Sequence, residues 1–141
     1  MPDLKNSNTL NNLREAFKLE SAAEQRYRYY MTIARFEGLT QIAQLFQDTA
    51  ENDSIHAAGH LDFIKNVGDP RSGLPVGESR DNLTAAMASD QADANDKYPE
   101  MARIAREEGF ADIADWFENL AKAKASHAER FQSLKDGLSS R

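Results

Sequence analysis

Apolar residues recur at helical spacing along most of this chain. Leu10, Leu13, Phe17, Ala22, Ala23, Tyr27, Tyr30, Met31 and Ala34 keep the period up to Glu37-Gly38, which predicts a first helix over 9–36. Ile42, Leu45, Phe46, Thr49, Ala50, His56, Gly59, His60, Phe63 and Ile64 continue it to Val67-Gly68, so a second helix is expected over 40–66 with a glycine stop. The stretch 68–77 holds three glycines and two prolines, which break helix and strand alike. Residues 68–80 are therefore read as the connection between two hairpins. Asp81 is a suitable N-cap for a third helix that carries Leu83, Ala86, Met87, Asp90, Ala94 and Met101 and stops at Gly109. Pro99 lies inside it and should kink it by removing a backbone donor. A fourth helix over 111–134 lines up Ile113, Trp116, Phe117, Leu120, Lys124, His127 and Phe131, and 137–141 reads as a frayed tail. No segment reads as strand. Met31, Met87, Met101, Phe46, Phe117 and Trp116 are expected in the core.

The pattern repeats. Asn12-Leu13 aligns with Asn82-Leu83, and Glu20 with Asp90, at an offset of 70. Past the first helix of each half the offset is 71, so that Glu37-Gly38 meets Glu108-Gly109, Ala50 meets Ala121 and His56 meets His127. A duplicated hairpin cannot bury its stripe alone, and the obvious solution packs two halves about a pseudo-twofold axis. The expectation is one all-α domain over 1–141, a four-helix bundle of two pseudo-symmetric hairpins.

Composition narrows the function classes. The 141 residues include no cysteine, so the chain holds no iron-sulfur cluster, thiol nucleophile or disulfide. The start, Met1 to Asn6, has neither the basic residues nor the apolar run of a signal peptide, which leaves the cytoplasm as the default location. A net charge of -6 with dispersed Lys and Arg gives no basic stripe for nucleic acid. No apolar stretch approaches membrane-spanning length.

The chemistry lies among the interior polar positions. Glu20, Asp53, His56, Asp90, Asp93, Lys124 and His127 fall among the apolar residues of their helices. Asp53 and His56 are three apart, as are Asp90 and Asp93, and Lys124 and His127, so each pair shares a helix face. Ionisable groups pointing into one bundle are costly unless they neutralise one another or hold a cation. A known bundle solution takes a carboxylate from each of two helices and a Glu-x-x-His from each of the other two, around two metal ions. This chain has that layout with substitutions.

Several segments carry a family resemblance: Asn12 to Phe17 with Glu20 a turn later, Ala57-Ala58-Gly59-His60-Leu61 after His56, and Gly73-Leu74-Pro75-Val76-Gly77. Tyr98-Pro99-Glu100-Met101-Ala102 and Ala114-Asp115-Trp116-Phe117-Glu118 leading to Ala128-Glu129-Arg130-Phe131 extend it. Over nearly its whole length the chain resembles the rubrerythrins, ferritin-like proteins with a di-iron centre. The resemblance implies a ferritin-like bundle, a homodimer either unswapped or with helices exchanged, and reduction of peroxide or oxygen with electrons from an external donor. The family's rubredoxin-like cysteine domain is not found in this sequence. It implies metal ligands at Glu20, Asp53, His56, Asp90, Asp93 and His127, for iron, with manganese or zinc as other candidates. Glu20, Tyr27 and Lys124 are the candidate catalytic residues, with Tyr27 and Tyr98 placed to hydrogen-bond a ligand carboxylate; ordinary packing is the alternative for both tyrosines.

Only Glu20, His56 and His127 match the family's ligands outright. Asp53, Asp90 and Asp93 stand where the family has glutamate, each one methylene shorter. Lys124 stands where the family has a metal-binding glutamate, and an ammonium cannot ligate until it loses a proton held with a reference pKa of about 10.4. Lys124 can instead act as a built-in cation, attracted to a carboxylate by about 4 kcal/mol at an effective dielectric of 20, and is expected to bond Asp53 or Asp90 across the bundle. With the four carboxylates ionised, Lys124 charged and the histidines neutral, the group carries -3; one divalent ion leaves -1 and two leave +1. The alternatives are a di-metal redox enzyme, a single-metal protein, and a metal-free structural or interaction bundle. Glu24 and His60, one turn from Glu20 and His56, are read as surface and packing residues.

Overall fold

The computed structural model describes residues 2–139, and every regular element among them is helical. In order these are α1 (Asn8–Phe36), α2 (Thr40–Ile64), α3 (Ser79–Ala92), a π-helical turn (Asp93–Lys97), α4 (Tyr98–Glu107) and α5 (Ala111–Ser139). The chain divides into two compact units, Met1–Pro70 and Arg71–Arg141. The first is the α1–α2 hairpin. In the second, α3, the π turn and α4 run on as one rod that pairs with α5.

In the first hairpin, Ser7 caps α1 by accepting the Leu10 N–H at 3.0 Å. The helix ends at a glycine in the left-handed region, Gly38 with φ of 75°. There the Leu39 N–H donates to the Ala34 carbonyl at 2.9 Å and the Gly38 N–H to Arg35 at 3.1 Å, a Schellman closure that satisfies the last carbonyls and reverses the chain. Ala34, Ala43, Ala50 and Ala57 are buried, with Leu10 and Ile64. Small side chains at the seam let two helices approach closely, while Tyr27, Tyr30 and Phe46 cluster beside it at ring separations of 5.5 to 6.1 Å.

The second hairpin copies these devices. Gly109 has φ of 89°, and the Phe110 and Gly109 N–H groups donate to Ala105 and Arg106 at 2.8 and 3.1 Å. Ala105, Ala114 and Ala128 are buried, and Tyr98 meets Phe117 at 6.1 Å as Tyr27 meets Phe46. Arg35 donates to Gln47 in the first hairpin and Arg106 to Glu118 in the second, each twelve residues on.

Some expectations change. The third helix begins at Ser79 behind Glu78, without a side-chain cap, and Asp81 lies in its first turn, where a carboxylate meets the positive end of the helix dipole. Pro99 is answered by the π turn just before it: its ring would press on the Asn95 carbonyl in a regular α-helix, and a widened turn relieves that contact. The same turn locates the inserted residue. Glu20 and Asp90 align at 70, Tyr27 and Tyr98 at 71, so the extra residue is inside the helix rather than past it. Helix α5 runs to Ser139, because Gly137 costs only about 1 kcal/mol in a helix; of the expected frayed tail, 140–141 lie outside the described residues. Trp116 and Met101, expected in the core, are exposed, since alanines take the seam in their place. No described helix is long and apolar enough to cross a membrane.

Candidate metal centre

Helix spacing places Asp53 and His56 on one face of α2, and α1 brings Glu20 against them. The three offer ligand atoms that all lie within 4.8 Å of one another, the one such group of three among the described residues. His56 Nδ1 is 3.5 Å from Glu20 Oε2 and 3.7 Å from Asp53 Oδ1. Asp53 is largely shielded, whereas the His56 ring is half exposed. Burial pushes the Asp53 carboxyl above the ordinary carboxylate range, and a hydrogen bond with Glu20 and the Glu20 charge push it further; His56 and Arg26 pull the other way. Two carboxylates this close repel each other when both are ionised, and a cation between them relieves that repulsion.

The second hairpin arranges the corresponding positions differently. Asp90 stands between Lys124 Nζ at 3.5 Å and His127 Nδ1 at 3.3 Å. Of the two partners expected for Lys124, it therefore takes Asp90. Asp93, in the π turn, is the one buried charged residue described, and it is paired with the Arg71 guanidinium. It is not drawn into a group of three with Asp90 and His127.

Tyr27 meets the rings of Tyr30 and Phe46, with the Arg26 guanidinium 5.4 Å above its centroid. Glu24 pairs with Arg28 at 3.0 Å along α1, and half-buried His60 is outside the group of three. Arg71 is the residue sequence reasoning missed. It reads as one more polar residue of the connection, and no periodicity points from it to Asp93.

Oxygen and imidazole donors suit iron, manganese and zinc. The first hairpin fits a divalent ion, with two carboxylates to balance its charge and one imidazole to fix its position. The second does not fit one as it stands, because a Lys and an Arg occupy its carboxylates.

The family profile described as rubrerythrin matches residues 11–135. A rubrerythrin of Porphyromonas gingivalis is 36% identical over 93% of this chain and 68% of its own length. One from Nitratidesulfovibrio vulgaris is 36% identical over 97% of this chain and 76% of its own. A solved structure of nigerythrin in a mixed-valence state is 27% identical, with a TM-score of 0.45, over 94% of this chain and 68% of that one.

Proposed function

The chain belongs to the rubrerythrin family, and from that premise we propose that it is an iron-dependent redox protein that reduces peroxide or oxygen. Glu20, Asp53 and His56 hold the metal. The observation that carries this reading is their convergence from two helices within 4.8 Å.

Each residue has a part set by its chemistry. Glu20 and Asp53 supply anionic oxygen donors, whose mutual repulsion a divalent cation would relieve. His56 supplies a neutral nitrogen, and its half-exposed ring leaves the group open to a small oxidant. Iron, if bound here, would supply one electron per ferrous ion towards an O–O bond, with the second electron coming from the donor and the protons that release water coming from solvent. These 141 residues include no cysteine, so no thiolate relay lies among them, and an electron donor outside them is part of the proposal. Leu45, Ile55 and Trp116, all exposed, support a homodimer as the working form.

The test is anaerobic reconstitution with ferrous iron, followed by elemental analysis and addition of hydrogen peroxide. Bound iron that peroxide oxidises, with both binding and oxidation lost in His56→Ala, is the expected result. A folded protein that retains no iron ends the proposal.

A further inference from the structure

We infer that the second hairpin is closed to metal by two cations of its own, Lys124 on Asp90 and Arg71 on Asp93, so that each chain holds a single ion, on the first hairpin. This deepens the proposed function and rests on it.

Register makes the first cation plain. Lys124 stands 71 residues after Asp53, as His127 stands 71 after His56. In the first hairpin that position adds a second carboxylate beside Glu20. In the second it adds an ammonium 3.5 Å from Asp90, and the histidine three residues on faces the same carboxylate at 3.3 Å. A divalent ion approaching Asp90 meets a charge of its own sign already in place.

The second cation comes from outside the repeat. Asp93 is 7% exposed, and a carboxylate buried that far needs a charged partner. Arg71 fills that role from the connection, with a guanidinium whose planar fork matches a carboxylate. Asp93 is thereby committed away from Asp90 and His127. Glu20 and Asp53, by contrast, form no ion pair with Lys or Arg among the described contacts.

The charges follow the same division. Two carboxylates that pair with neither Lys nor Arg give the first hairpin's group -2 when both are ionised, the charge a divalent ion cancels. Asp90 and Asp93 with Lys124 and Arg71 sum to zero, and an added divalent ion would leave +2.

The experiment measures cobalt(II) and ferrous iron bound per chain in the full-length protein. Elemental analysis and the cobalt absorption bands give occupancy, and circular dichroism checks the fold. One ion in the wild type, lost in His56→Ala and kept in His127→Ala, is expected. A second ion should appear in Lys124→Glu combined with Arg71→Gln, and Lys124→Glu alone should raise affinity for it at least tenfold. Two ions in the wild type would overturn the inference and leave the redox reading intact. A single ion that His127→Ala removes would also overturn it, without depending on the doubly substituted chain. If that chain folds and still takes one ion, the two cations are not what closes the hairpin. No ion in the wild type would end the metal reading of the first hairpin. The double variant would then decide the second alone, an ion gained supporting closure and none overturning it.

Discussion

The two hairpins share almost all of their construction and differ in their chemistry. Gly38 and Gly109 close the same turn, alanines line both seams, and Tyr27 with Phe46 is matched by Tyr98 with Phe117. Against that background, an aspartate at position 53 and a lysine at 124 give one hairpin two carboxylates in need of a cation and the other a cation in residence. The helices do not register the difference, because seam and turn residues set the fold and both site positions lie beside them. A duplicated scaffold can therefore change the charge at one copy's site position while leaving the other copy's unchanged.

The comparison is broken most directly at the histidines. His56→Ala should weaken ferrous iron binding roughly 100-fold, about 2.7 kcal/mol, while His127→Ala leaves it within about twofold; equal losses in calorimetric titrations would erase the asymmetry. Next in size is Arg71→Ala, which strands the buried Asp93 carboxylate. It should cost about 2 kcal/mol in urea unfolding, below the range for a fully buried pair because the Arg71 side chain is half exposed. The turns should show the likeness instead. Gly38→Ala and Gly109→Ala each force an L-residue into a left-handed backbone and should each cost about 1 kcal/mol, so a large inequality would mean that the turns are not equivalent.

The smallest effect concerns Asp53 in the metal-free protein. Its raised pKa means that the folded state holds the proton more tightly than the unfolded chain. The associated stability is complete below the ordinary carboxylate pKa and is lost as pH rises through the raised one. Asp53→Asn removes the repulsion with Glu20, so at neutral pH it should raise the melting temperature by about 1–2 °C while abolishing metal binding. A melting temperature that falls would show that the pair is not repulsive.

The helices and both glycine turns were legible from periodicity, and the shared face of Asp53 and His56 from spacing, because each rests on residues close in sequence or related by the repeat; that Glu20 joins them came from the family resemblance. Exposure of Trp116 and Met101 was not, since an apolar stripe shows which way a helix faces without showing that alanines occupy its deepest line. The Asp93 partner was hidden for another reason. Arg71 reaches it across 22 residues, and a loop residue's destination depends on the path of the chain. Pro99 and the shift of offset announced an irregularity, yet a kink and a widened turn satisfy both signals equally well.

The π turn has a consequence for how such a chain can lengthen. One residue added to a regular α-helix rotates everything beyond it by about 100°, enough to carry a packing stripe off its neighbour. Here the added residue is absorbed within Asp93–Lys97, and Ala102 and Ala105 beyond it are still buried. The rod works like a spliced ruler, its graduations true on both sides of the joint. Removing a residue on either side of that joint would throw the marks out of step, whereas removing one within it would restore an ordinary helix, leaving Asp93 to find a new place.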